Sequence, residues 1–452
     1  MKHVRSLAAV LAVTLAADLT GCGQSASQPA SPGSFQSLPQ VLTVRSATGN
    51  PIQHVVIIFQ ENRSFTNIFS GFPGADAPTS GVLPNGKKVP LGTITFHTTD
   101  ICHGFYDGIA DWDNGKMDGF EQNCTDDGRP AGLLTYSHLR RDLVAPYWEM
   151  AKQYTLADHM FPTMFGPSFT AHLDIISGNT NLDPTHSLAD LPTTTPWGCD
   201  APSGTTTTII DTQRNEHTGP FPCFTQFRTM ADTLDAAHLP WRYYVPPISG
   251  DGGLWSEFDA IKSVRYSSDW TEKVISPTPT VLTDIAGGKL GAVTWVVPDW
   301  AYADHATTGP LGPSWVASVV NAVGQSKYWN NTAIVIMWDD WGGWYDDVPP
   351  PQKDFRGLGI RVPCIIISPY ARRHYVSHTQ YEFASVLRFI EDTFGLPQLG
   401  TIKDGYSDAR AASLMDSFDF TQAPTPFKKI SAPYPASTFL KMAPSMRAPD
   451  DI

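Results

Sequence analysis

From His54 to Phe59 the chain reads His-Val-Val-Ile-Ile-Phe, almost without a polar break. A short apolar run rich in β-branched residues predicts a strand buried on both faces of a parallel sheet. Comparable runs recur at Val293–Val297, Thr332–Trp338 and Val362–Ile367. Between and after them the spacing becomes helical. Trp315–Val323 predicts one helix, and Tyr381–Phe394 another with Phe383, Val386, Leu387 and Ile390 on one face. A further helix is expected from Ala171 onward. Strands alternating with helices predict an α/β fold with a sheet covered on both sides. In such sheets the chemistry gathers just past the carboxyl ends of the strands, so the stretches that follow each run deserve inspection first.

The first fifty residues have a different pattern. Lys2 and Arg5 precede an apolar run from Leu7 to Ala17. That run is too short to span a bilayer and predicts a cleaved export signal. Leu19-Thr20-Gly21-Cys22 resembles the lipobox of bacterial lipoproteins, in which Cys22 would carry the lipid. An ordinary signal peptide with an incidental cysteine is the plainer alternative. Residues 1–22 are therefore assigned as a lipoprotein signal peptide. Residues 23–50, rich in Ser, Gln, Pro and Gly, form a disordered tether. Residues 51–452 form one folded domain. The expected location is exported, as a periplasmic or cell-surface lipoprotein touching the membrane through its N-terminal anchor.

Export changes the reading of the remaining cysteines. Cys102 with Cys124, and Cys199 with Cys223, are the pairings that proximity suggests. Each would close a modest loop, worth on the order of 3 kcal/mol. Cys364 lies in an apolar run and reads as a buried free thiol. No two of these cysteines have zinc-type spacing. The net charge of −13 argues against a nucleic-acid partner. Only 17% of residues are charged, against 36 Gly and 38 Pro, which predicts long ordered loops.

Four stretches could carry chemistry. Gln60-Glu61-Asn62-Arg63-Ser64 follows the first strand, and its carboxylate and amide oxygens suit a cation; an N-terminal helix charge and cap is the bland reading. Asp339-Asp340-Trp341-Gly342-Gly343 follows the third run, where adjacent buried carboxylates repel unless a cation or a shared proton compensates. Asp304-His305 follows the 293–297 run, and the imidazole could bind metal or give a proton to a leaving oxygen. Ser168 stands after Gly166-Pro167 and before a helix, a place that favours phosphate and an alkoxide, although a plain N-cap is the commoner role. Together these supply the inventory for metal-assisted phosphoryl transfer.

At these residues the chain resembles the bacterial phosphoesterase family that contains phosphatidylcholine-type phospholipases C and certain acid phosphatases. The specific strings are Glu61-Asn62-Arg63-Ser64-Phe65, Phe165-Gly166-Pro167-Ser168, Trp338 to Asp346 with Val348-Pro349-Pro350, and Arg361-Val362-Pro363. The resemblance implies an alkaline phosphatase-like fold, a three-layer α/β/α domain with a mostly parallel central sheet. It implies a divalent metal (Ca, Mg, Mn, Fe or Zn) held by Glu61, Asn62, Asp339 and Asp340. It makes Ser168 the nucleophile and places His305, with Asp304, near the leaving group. His103 matches a further family histidine, and His378 is a candidate for the surrounding shell. Two departures stand out: Thr66-Asn67 where the family commonly has Asp-His, and Thr170-Ala171 where it commonly has Pro-Asn. Thr170 is thus a competing hydroxyl. The substrate implied is a phosphate ester, a phospholipid among the options. A sulfatase or phosphonate hydrolase on the same fold is a second reading, but no Cys/Ser-x-Pro-x-Arg string surrounds Ser168. A non-catalytic surface binding module is a third.

Overall fold

The computed structural model describes residues 49–250 and 255–447. The predicted signal peptide, Cys22 and nearly all of the tether lie outside the described residues. The central sheet has nine strands: β1 (His54–Gln60), β2 (Thr155–Phe161), β3 (Trp241–Tyr244), β4 (Val274–Ile275), β5 (Val293–Val296), β6 (Thr332–Trp338), β7 (Val362–Ile367), β8 (Tyr375–Ser377) and β9 (Tyr381–Glu382). Their order is β4-β3-β5-β1-β6-β7-β2-β8, with β9 also pairing with β2. Neighbours from β4 through β6 are parallel. The expected mostly parallel sheet is present.

All four apolar runs are strands, with one correction. Val362–Ile367 is not a parallel strand, because β7 runs antiparallel to both β6 and β2. An unbroken apolar run reports burial on two faces and says nothing of a neighbour's direction. The helix expected over Tyr381–Phe394 begins only at Ala384, since Tyr381 and Glu382 are drawn into β9 against β2. It ends at Gly395, whose φ of +66° closes the last turn. The helix expected from Ala171 starts earlier, at Ser168.

The helices form two groups. Ala145–Gln153, Thr280–Ala286 and Gly312–Gly324 pack together, as do Ser168–Ser177, Met230–Ala236 and Ala384–Phe394. β6 and β7 are buried along their whole length on both faces. This is the three-layer α/β/α arrangement. Between residues 181 and 218 a small antiparallel sheet is added. The two expected disulfides, Cys102–Cys124 and Cys199–Cys223, are formed, and Cys364 is a buried free thiol. Among the described residues no helix is long and apolar enough to cross a membrane.

The second helix group carries a carboxyl that should give the fold a pH dependence. Burial, and then the charge of Asp408, push Glu391 up from its ordinary 4.5 to about 9. The folded protein therefore keeps a proton that the unfolded chain has released. Stability from this group is complete below pH 4.5 and is lost as pH rises towards 9. Glu391→Gln is expected to match the wild type in thermal unfolding at acid pH and to gain on it steadily towards alkaline pH. A difference in Tm that stays flat with pH would reject this.

Candidate active site

The register of two parallel strands builds the centre of the site. Gln60 at the end of β1 lies opposite Trp338 at the end of β6. Glu61 and Asp339 therefore leave the sheet side by side, and the Asp339 amide donates to the Gln60 carbonyl at 3.1 Å. Asn62 turns away in the left-handed region, with φ +54°, and its amide donates to Asp339 Oδ1 at 2.9 Å. The helix that follows, Phe65–Phe69, is capped by Ser64, which accepts from the Asn67 amide. Capping thus falls to Ser64, and the Glu61 and Asn62 side chains are left for the site. After β6, Gly342 has φ +60°, and the backbone and Cβ of Asn62 occupy the place where a Cβ would stand. Only glycine lets the two strand-end loops approach this closely. Further on, buried Asp346 is held by Arg361 at 2.9 Å and by the Thr66 amide and hydroxyl, which ties the second loop to the first.

Helix Ser168–Ser177 supplies the hydroxyl. Its N-cap is Pro167 and Ser168 is its first residue, so Ser168 is not the cap. Its Oγ lies 3.3 Å from Glu61 Oε2 and 3.5 Å from Asn62 Oδ1. Thr170 is turned elsewhere, donating to the Pro167 carbonyl at 3.0 Å. One turn beyond Ser168, on the same face, His172 brings Nε2 to 3.0 Å from Glu61 Oε1 and 3.8 Å from Asp339 Oδ2. Sequence reasoning missed His172. The available signal was its i+4 spacing from Ser168.

The two predicted histidines converge on Asn62. His103 Nε2 and His305 Nε2 each lie 2.8 Å from its amide nitrogen. Their Nδ1 atoms face the carbonyls of Ile101 and Ala306. A carbonyl partner requires N–H at Nδ1, which leaves Nε2 as the acceptor in the neutral rings. Both amide hydrogens of Asn62 are then used, and its Oδ1 points towards Ser168. Asp100 Oδ2 is 3.6 Å from His305 Nε2. Asp304 faces away from this group: its carboxyl accepts from the Tyr147 hydroxyl at 2.6 Å, and its carbonyl accepts from Arg63 Nε. Burial raises the Asp304 carboxyl to about 7. His378 is bonded to Asp158 and forms part of a different group.

Glu61, Asp339 and Asp340 are all fully buried. Burial, then the charge of Asp339, hold both Glu61 and Asp340 well above the usual carboxylate range. Burial acts upward on Asp339 too, but its hydrogen bond with Glu61, joined by those from Ser168 and the Asn62 backbone amide, outweighs it and holds the carboxyl below the usual range. Burial drives His172 down to about 4 and keeps it neutral. Oδ2 of Asp339, Oδ2 of Asp340 and Nδ1 of His172 are buried without a hydrogen-bond partner. Ligand atoms of Glu61, His172 and Asp339 lie within 4.8 Å of one another. Crowded carboxylates with orphaned oxygens are costly unless a cation binds them. The donor set therefore fits a divalent metal.

The profile of the Phosphoesterase family matches residues 52–397. The chain belongs to that family. Among curated relatives, phospholipase C B of Mycobacterium tuberculosis strain H37Rv is 24% identical, over 88% of this chain and 84% of that protein. A non-hemolytic phospholipase C of Pseudomonas aeruginosa is 25% identical, over 76% of this chain and 54% of that one. Non-specific phospholipase C5 of Arabidopsis thaliana is 22% identical, over 81% of this chain. A solved structure of a protein in the alkaline phosphatase superfamily from Vibrio parahaemolyticus aligns over 81% of this chain, with 11% identity and a TM-score of 0.39. This phosphoesterase is accordingly a hydrolase of phosphoester bonds.

Proposed function

We propose that this phosphoesterase cleaves a phospholipase C-type phosphodiester, or a phosphomonoester, through a covalent phosphoseryl intermediate on Ser168. The observation that carries the reading is the position of Ser168 Oγ, at the first residue of a helix and within reach of Glu61 and Asn62. Glu61, Asn62, Asp339, Asp340 and His172 would hold a divalent cation. That cation, when bound, would lower the pKa of the hydroxyl and offset phosphate charge. Ser168 Oγ attacks phosphorus; the Oγ–P bond forms as the ester P–O bond breaks. The amides that open helix Ser168–Ser177 would meet the phosphate oxygens. His305, neutral with Nε2 as its acceptor nitrogen, takes up the proton that Ser168 loses and passes it to the leaving oxygen. Water then attacks phosphorus, the Oγ–P bond breaks, and the proton that water loses passes through His305 to Ser168 Oγ. His103 holds the other hydrogen of the Asn62 amide and keeps Oδ1 aimed at the reacting hydroxyl.

The phospholipase C names of the relatives favour a phosphodiester, and a phospholipid headgroup ester is the preferred substrate class. The two disulfides suit an oxidising compartment, in keeping with export. The lipid anchor at Cys22 belongs to the same proposal. The test compares p-nitrophenylphosphorylcholine with p-nitrophenyl phosphate, with and without chelator. Chelator-sensitive turnover, faster on the phosphocholine ester, is expected. Turnover of the monoester alone would make the protein a phosphatase. No turnover of either ester with any divalent metal would leave only a binding module.

A further inference from the structure

Strand β2 carries an irregularity that brings three other side chains together. Met160 lies opposite Val362 and Ala157 opposite Cys364, so β2 spends one residue more than β7 over this stretch. That is a β-bulge at Asp158-His159, and a bulge re-aims side chains that would otherwise point to opposite faces. Here the His159 Nδ1 comes to 3.1 Å from Asp158 Oδ1. On the other side of β2, the link between β8 and β9 delivers His378, whose Nδ1 is 2.9 Å from Asp158 Oδ2. The Asp158 carbonyl is taken by Arg361 Nη1 at 2.8 Å.

We infer that Asp158, His159 and His378 form a second metal site, distinct from the carboxylate centre and selective for a borderline divalent cation, zinc foremost. The three ligand atoms lie within 4.8 Å of one another. Two imidazoles and a carboxylate with an open fourth position are a common zinc set, whose ligand atoms stand roughly 3.3 Å apart when bonds are about 2.0–2.2 Å. Calcium and magnesium prefer an all-oxygen shell. An Asp that merely hydrogen-bonds two histidines is the competing account, and it is weakest at His159. Its buried Nδ1 stands 3.1 Å from the carboxylate but out of line for a well-formed hydrogen bond. The surroundings suit a metal. The Asp76 amide fixes Asp158 Oδ2 at 2.8 Å, and the Asp76 carboxylate stands 3.8 Å from Nε2 of His159, the nitrogen that would not bind the metal. The His378 side chain is 60% exposed, which gives the ion a path of entry. A zinc ion here ties the β8–β9 link to the strand that leads on to Ser168.

The experiment strips the mature protein with chelator, titrates it with Zn²⁺ and counts bound zinc by equilibrium dialysis. His378→Ala removes an exposed ligand without opening the core, and His159→Gln is the second variant. Each is expected to bind one zinc fewer per chain than the wild type and to lose part of the zinc-dependent rise in Tm. The same loss is expected when His378→Ala is added to Asp339→Asn, which keeps the two sites apart in the count. If His378→Ala binds as much zinc as the wild type, the site does not exist.

Discussion

Ser168→Ala is expected to cut turnover by about 10³-fold or more, since loss of a nucleophile removes a whole covalent route and not one contact. The fold should survive the change. Ser168 is not a cap, alanine is the best helix former, and the hydroxyl's hydrogen bonds to Glu61 and Asn62 are long. Thermal unfolding should therefore leave Tm within a few degrees of the wild type. Thr170→Val is the informative companion. Its hydroxyl is spent on the Pro167 carbonyl, so its loss should cost about 1 kcal/mol of stability and keep most of the turnover. Trapping phosphate on the protein by acid quench, followed by mass measurement of the Ser168 peptide, separates a nucleophile from a mere metal ligand. Full activity in Ser168→Ala would sink the assignment, and parallel loss in Thr170→Val would transfer it.

The sequence was most informative where burial alone decides structure. β1, β5, β6 and β7 are apolar runs because both of their faces are covered, and each could be read directly. β2 could not, because its Asp158 and His159 interrupt the apolar pattern at the bulge. Chain direction was equally hidden, which is why β7 emerged antiparallel. In the site, Glu61 and Asp339 were legible as strand-end carboxylates, but their partner His172 sits inside a helix, where a histidine ordinarily reads as core. Its role depends on Ser168 being the first helical residue, whereas the sequence pattern points to a start at Ala171. Asp304 drew attention as the neighbour of His305, yet adjacent residues at a left-handed turn point apart: Asp304 has φ +69° and serves Tyr147. His378 was placed by its surrounding string, but its partner lies 220 residues earlier, a contact no local pattern contains.

Removing the metal should act on stability and turnover together, and one carboxylate should separate them. Chelator is expected to lower turnover by several kcal/mol of lost transition-state stabilisation, on the order of 10³-fold. It should also lower Tm, since the ion neutralises Glu61, Asp339 and Asp340, three buried carboxyls. Asp340→Asn should divide these effects. Its Oδ1 still accepts from the Gly342 amide, so the loop keeps its turn. Burial and Asp339 push the Asp340 carboxyl well above its ordinary 3.8, so in the stripped protein its contribution to stability is complete below that value and lost as pH rises. The asparagine has no such loss. Stripped Asp340→Asn should therefore melt above the stripped wild type, by a margin that grows with pH, while its turnover with metal falls. Melting curves of both proteins, stripped and loaded, across a pH series decide the matter. A stripped variant that melts below the stripped wild type at neutral pH would mean that Asp340 is paired by the protein itself, and the carboxylate cluster would no longer argue for a cation.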